Sequence, residues 1–250
     1  MRTVDDFPAA GNSGSPSLAP VALRSPIDGV TLWFLTLAAS DEEFARLSGW
    51  LSSAEHARAA RFGREYLRRR YIVGRASLRW ALGRTLWMSP SSVPIVRGER
   101  GRPRLDGIDG IDFNISHTDD AALIGIVREG RIGVDIERAD REVSADGLAR
   151  KFLTAAEQAT LAPLDADERR VRFLRYWTCK EAMSKATGDG IAAPFRQIEV
   201  ALSVGAAPSL VAGQPPYAPQ GWQLHAVSVP AGFLATVALW TSDEAARASR

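Results

Sequence analysis

Apolar and polar positions recur at regular spacing through most of the chain, and the spacing predicts its elements. Ile132, Val134 and Ile136 alternate with Gly133, Asp135 and Glu137, the period of two that sends strand side chains to opposite faces. Similar apolar runs predict strands at residues 30–37, 93–97, 111–116, 121–127, 197–203, 222–229 and 233–239. The runs at 121–127 and 132–137 flank Arg128-Glu129-Gly130-Arg131 and read as one hairpin with Gly130 in its turn. Periods of three and four predict helices at 41–51, where Ser40 is placed to cap and three acids follow it, and from 53 to about 86 with a break near Gly63. Further helices are predicted at 144–152, after the capping box Thr154-Ala155-Ala156-Glu157, and at 167–186, ending at Gly188.

The order strand, helices, three strands therefore runs twice, over residues 30–127 and 132–239. The expected fold class is α+β, with two similar α/β subdomains related by a pseudo-twofold. Residues 1–28, rich in Gly, Ser, Pro and Ala, are expected as a flexible tail. Residues 29–128 form the N-terminal subdomain, 129–241 the C-terminal subdomain and 242–250 a C-terminal tail.

Composition is that of a globular protein, with 46% hydrophobic and 24% charged residues. The single cysteine, Cys179, excludes a disulfide framework, and three scattered histidines argue against zinc. No apolar run approaches the length of a membrane span, so a cytoplasmic protein is expected. The net charge of +2 hides an asymmetry: from Trp50 to Arg104 thirteen arginines face three acids, a basic surface suited to a polyanion.

Asp135 and Glu137 share one strand face, roughly 7 Å apart along the backbone, and Gly133 beside them is expected to leave open space. Trp177, Glu181 and Lys185 share one helix stripe. Only three of the 31 basic residues are lysines, and Lys180 and Lys185 are two of them, so this helix calls for a compact ammonium. Three carboxylates, two lysines and a Ser116-His117 pair at a strand end point to Mg²⁺-assisted chemistry on a phosphate or pyrophosphate.

The strings Phe113-Asn114-Ile115-Ser116-His117, Gly133-Val134-Asp135-Ile136-Glu137 and Trp177-Thr178-Cys179-Lys180-Glu181-Ala182-Met183-Ser184-Lys185, with Gly101-Arg102-Pro103 upstream, resemble the Sfp-type 4′-phosphopantetheinyl transferases. The resemblance implies transfer of 4′-phosphopantetheine from coenzyme A to a serine of an apo acyl, peptidyl or aryl carrier protein. It implies Mg²⁺, with Mn²⁺ as a substitute, on Asp135, Glu137 and Glu181. It casts Arg58, Arg70, Arg102, Pro103, Ser116, His117, Lys180 and Lys185 as coenzyme contacts. Arg102 stands where relatives carry lysine, and Glu55 where a lysine can stand. Glu181, Lys185 and Glu157 are the catalytic candidates, and the base is left open between Glu181, Glu157 and a metal-bound water. Glu157 has a second reading as the capping-box residue. Phe195, Arg196 and the segment after Gly188 are expected to meet the carrier. A monomer is expected, with neither nucleic acid nor membrane as partner. Two other readings stay open: a Mg²⁺-dependent phosphohydrolase using the same acids, and a non-catalytic nucleotide or RNA binder built on the arginine-rich helices.

Overall fold

The structure is a computed structural model that describes residues 20–98 and 101–241. The first half runs β1 (Val21–Leu23), β2 (Val30–Thr36), α1 (Asp41–Ser48), α2 (Ser53–Ala59), α3 (Glu65–Leu86), β3 (Ile95–Arg97), β4 (Pro103–Leu105), β5 (Asp112–Thr118) and β6 (Ala121–Val127). The second runs β7 (Arg131–Arg138), α4 (Ala145–Phe152), α5 (Ala155–Leu161), α6 (Ala166–Thr187), β8 (Glu199–Ala201), β9 (Ser209–Ala212), β10 (Trp222–Ala226) and β11 (Phe233–Trp240). Ser40 and Thr154 cap as expected, and Ser52 does so as well: each closes a capping box with a glutamate three residues on. Asp165 caps α6, and Gly188 ends it in the left-handed conformation.

The strands form two main antiparallel sheets, in the orders β1-β2-β6-β5 and β10-β11-β7, and two small hairpins, β3-β4 and β8-β9. From β2 and from β7 onward the chain thus repeats strand, three helices, hairpin, two strands, and β6 lies between β2 and β5 as β11 lies between β7 and β10. The hairpins add a strand to each predicted set of three.

Along β2, β5 and β6 the alternation sorts side chains to two faces. Leu35, Phe113, Ala122, Ile124 and Ile126 pack with α1 and α3 in one core. Leu32, Phe34, Leu123 and Val127 face the other way and meet Ile132, Val134, Ile136, Val237 and Leu239 of the second sheet. Each such fully buried side chain contributes roughly 1.5–3 kcal/mol. A third core lies between the second sheet and the helices α4, α5 and α6. The order of layers is helix, sheet, sheet, helix.

Three expectations change. β6 and β7 do not form a hairpin: β6 pairs with β2 and β5, and among the described residues β7 pairs only with β11, so the chain crosses between sheets at Gly130. The apolar side chains of both strands instead pack face to face in one buried core, with Leu123 and Val127 of β6 against Ile132, Val134 and Ile136 of β7. The expected tail at 1–28 holds β1, whose residues pair with Leu32, Trp33 and Phe34, and a buried Ile27; residues 1–19 of that call lie outside the described residues. The expected tail at 242–250 also lies outside them. The face beside Gly133 is filled, as described next.

Candidate active site

Gly133 is the point where α6 comes down onto the second sheet. A Cβ there would lie 1.8 Å from the carbonyl oxygen of Ala182 and 2.7 Å from the nitrogen of Ala186. Only glycine permits this approach. The helix backbone therefore runs directly over β7, and the residues before Ala182 and Ala186, Glu181 and Lys185, reach the face that Asp135 and Glu137 share with Gly133. Thr178 on α6 fixes the register through a 2.9 Å hydroxyl bond to Thr236, the β11 partner of Asp135.

Lys185 Nζ donates to Asp135 Oδ1 at 2.5 Å and to Ser116 Oγ at 2.8 Å, and Ser116 Oγ donates to the same Asp135 oxygen at 2.8 Å. Glu137 accepts from Trp177 Nε1 at 3.2 Å and from the Arg141 guanidinium. Ser116 arrives from the first half because β5 lies alongside β7 without a backbone ladder. Alternate side chains of β5 substitute for it: Asp112 accepts from the Ile132 N–H at 2.8 Å and Asn114 from the Val134 N–H at 3.1 Å. Ser116 is the third rung, and it ends on Asp135.

His117 points to the opposite face of β5. With Arg58, Arg70, Arg75, Arg97 and Tyr71 it lines a cavity of about 320 Å³ between α2, α3 and the first sheet. The end of β5 is thus a ridge with a basic, partly apolar cavity on one side and the acid cluster on the other.

Burial raises the pKa of Glu181 and of Glu137, and the Asp135 charge pushes both further up. Desolvation lowers the pKa of His117, and Lys185 and Arg70 add to the effect. Asp135 Oδ2 is buried without a hydrogen-bond partner. An orphaned carboxylate oxygen, with two desolvated carboxylates that feel its charge and donors that are all oxygen, has the chemistry that suits a hard divalent cation. In this conformation the Lys185 ammonium lies against Asp135, and no three Asp, Glu, His or Cys side chains among the described residues close around one point.

Residues 131–238 match the family model described as the 4′-phosphopantetheinyl transferase superfamily, and residues 36–127 match one described as 4′-phosphopantetheinyl transferase, N-terminal. The 4′-phosphopantetheinyl transferase HetI of Nostoc sp. is 38% identical over 179 residues, which cover 70% of this chain and 75% of HetI. The chain belongs to the 4′-phosphopantetheinyl transferase superfamily. The 4′-phosphopantetheinyl transferase Sfp of Bacillus subtilis is 26% identical over 163 residues, covering 65% of this transferase and 71% of Sfp. A solved holo-(acyl-carrier-protein) synthase from Bacillus anthracis, in complex with CoA, is 28% identical and covers 45% of this chain and 96% of its own, with a TM-score of 0.37.

The transferase brings Asp135, Lys185 and Ser116 into contact, with Glu137 and Glu181 near enough to feel the Asp135 charge, and sets Arg58, Arg70, Pro103 and His117 around the cavity. Three residues go elsewhere. Lys180 is 0% exposed, and its ammonium donates to the carbonyls of Phe152, Phe195 and Ile198 and pairs with Glu157 at 2.7 Å. Glu157, 1% exposed, spends its other contacts on the N–H groups of Thr154 and Val200. Of its two readings the capping box is the one realised, because a carboxylate holding two amides and an ammonium has no free oxygen to present to a substrate. Arg102 points away from the cavity, although its neighbours Gly101 and Pro103 line it, and its fork grips Asp112.

Phe195 is also buried, between Phe152 and Trp177, which leaves Arg196 exposed. Glu55 closes a capping box and pairs with the buried Arg79 at 2.7 Å, so it is a structural acid in the first half. Arg75, Arg97, Asp112 and Asn114 were not expected at the site. The signal for the last two was present: Asp112, Asn114 and Ser116 are alternate polar positions on a strand flanked by apolar ones.

Proposed function

We propose that the chain transfers the 4′-phosphopantetheine group of coenzyme A to a serine of an apo carrier protein and releases adenosine 3′,5′-bisphosphate. Membership of the superfamily supports the reaction class. The observation that carries the reading for these particular residues is the ridge at the end of β5. Its His117 face, with Arg58 and Arg70, suits the nucleotide and 3′-phosphate of the coenzyme. Its Ser116 face, with Lys185 and the acids, suits the pyrophosphate. The cavity lies in residues 29–128 and the acids in 129–241, which we take as two like subdomains sharing one cleft.

Asp135, Glu137 and Glu181 would hold Mg²⁺, which when bound supplies charge neutralisation on the pyrophosphate oxygens. The carrier serine attacks the β-phosphate, and the bond to the α-phosphate oxygen breaks. Lys185 stands beside Ser116 and Asp135, and its ammonium stabilises the charge that develops on the leaving phosphate. With Glu157 committed to α5 and Lys180, the base is either Glu181, whose pKa burial raises, or a water that the metal would hold. Coenzyme A and an apo carrier are the partners of this reading.

The test is intact-mass measurement of an apo carrier protein incubated with the full chain, coenzyme A and Mg²⁺, beside a chelated control and Asp135→Asn. A mass gain of one phosphopantetheine, lost with chelator and in the variant while the variant melts within a few degrees of wild type, is expected. Release of adenosine bisphosphate without any carrier would instead make the protein a phosphohydrolase.

A further inference from the structure

Arg102 is placed to do something other than bind phosphate. Its Nη1 and Nη2 donate to the two oxygens of Asp112 at 2.6 and 2.8 Å. Nη2 also reaches the carbonyls of Ile132 at 2.6 Å and Phe113 at 3.2 Å, and Nε donates to the carbonyl of Lys185 at 2.9 Å. One guanidinium therefore joins the loop before β4, strand β5, strand β7 and the last turn of α6. A coenzyme phosphate could recruit this fork only by displacing a bidentate carboxylate, the pairing to which a planar guanidinium is best matched. Asp112 is itself held by the Ile132 N–H at 2.8 Å and lies 3.6 Å from a second cation, Arg131. The Arg102–Asp112 pair is a joint with the cavity wall on one side, through Gly101 and Pro103, and the backbone of Lys185 on the other.

We propose that Arg102, oriented by Asp112, is a positioning residue that sets Lys185 against Ser116 and Asp135, and that it does not contact the coenzyme. The last turn of a helix carries carbonyls without intrahelical partners, and a guanidinium on one of them fixes the turn and complements the helix dipole. The Lys185 carbonyl is such a group, so the side chain on the same residue inherits its placement. This inference rests on the transfer reading for its kinetic consequence, but its structural half stands by itself.

The experiment uses the full chain carrying Arg102→Lys, Asp112→Asn, or both. In the transfer assay each single variant is expected to lower kcat by about tenfold or more, the size of one charge-assisted hydrogen bond. Coenzyme affinity, read by calorimetry, is expected to stay within about twofold of wild type, and the double variant to be no worse than the poorer single one. Lysine cannot reproduce the fork, so the conservative change does not rescue. Hydrogen exchange without coenzyme supplies the second readout. The amides at residues 184–188 should exchange about tenfold faster in each variant, while those of β6 keep their protection.

An Arg102→Lys enzyme with wild-type kcat would overturn the proposal, as would coenzyme affinity lost in Arg102→Lys but kept in Asp112→Asn. Unchanged exchange at the end of α6, or equal loss there and in β6, would do the same. A wild-type chain that transfers nothing would sink the transfer reading alone, and the exchange data would still decide the placement.

Discussion

The Lys185 ammonium lies 2.5 Å from Asp135 Oδ1 and 2.8 Å from Ser116 Oγ, although the three residues come from α6, β7 and β5. A point charge with three donors on a flexible stem can sit in that notch, whereas a planar guanidinium is longer and spreads its charge over a fork. Lys185→Arg should therefore fail despite keeping its charge. We expect kcat to fall by about a hundredfold, the low end of what one preorganised charge-stabilising donor supplies, with coenzyme affinity little changed. Steady-state transfer kinetics check this, and a silent substitution would reduce Lys185 to a helix-surface partner of Asp135.

Gly133 makes that arrangement reachable. With a Cβ 1.8 Å from the Ala182 carbonyl, Gly133→Ala cannot be absorbed by a side-chain rotation, so α6 must move off β7. Overpacking of this kind costs about 1–3 kcal/mol and sometimes more. Chemical denaturation should report that loss, and transfer should fall further than stability, because Glu181 and Lys185 ride on the displaced helix. Retention of full transfer by a destabilised Gly133→Ala chain would mean that the helix need not sit so close.

Much of this was legible in the chain. The period of two in β7 placed Asp135 and Glu137 on one face, and the spacing of four in α6 placed Glu181 and Lys185 on one stripe, because both are local geometry. The capping residues Ser40 and Thr154 were legible for the same reason. What could not be read was which faces meet. The alternation of β6 and β7 fits a hairpin and two packed sheets equally well, and long-range burial decided between them. Gly133 read as empty space because the helix that fills it is some fifty residues away in the chain. Lys180 and Lys185 looked alike in sequence, yet five residues along a helix they point to different sides, one into a shell of carbonyls and the other into the cleft.

The Lys180–Glu157 pair gives a prediction of opposite kind. Both side chains are enclosed, and burial lowers the Lys180 pKa while Glu157 holds it up. Removing one partner strands the other without water, which typically costs about 3–5 kcal/mol. Lys180→Met and Glu157→Gln should each lower the midpoint of urea unfolding strongly and leave coenzyme binding by the folded protein near wild type. A Lys180→Met chain of normal stability with coenzyme binding weakened more than about tenfold (1.4 kcal/mol) would restore that lysine as a coenzyme contact.

His117 supplies the pH dependence. Desolvation, then Lys185 and Arg70, lower its pKa, while Asp135 opposes them, and Asp119 lies on the same cavity wall. Folding thus disfavours the imidazolium. Between the lowered folded value and the unfolded value of 6.5 the unfolded chain binds more protons, so this group's contribution to stability is present above pH 6.5 and is lost as pH falls through that window. A coenzyme phosphate beside the ring reverses the balance, since an anion favours the charged imidazole. Binding should then take up a proton, and coenzyme affinity should rise as the pH is lowered from 8 towards about 6, where the phosphate's own second ionisation begins to interfere. Calorimetry in two buffers of different ionisation enthalpy measures the uptake directly. In His117→Gln the uptake should shrink to what the phosphate contributes, and an unchanged value would place His117 away from the bound coenzyme.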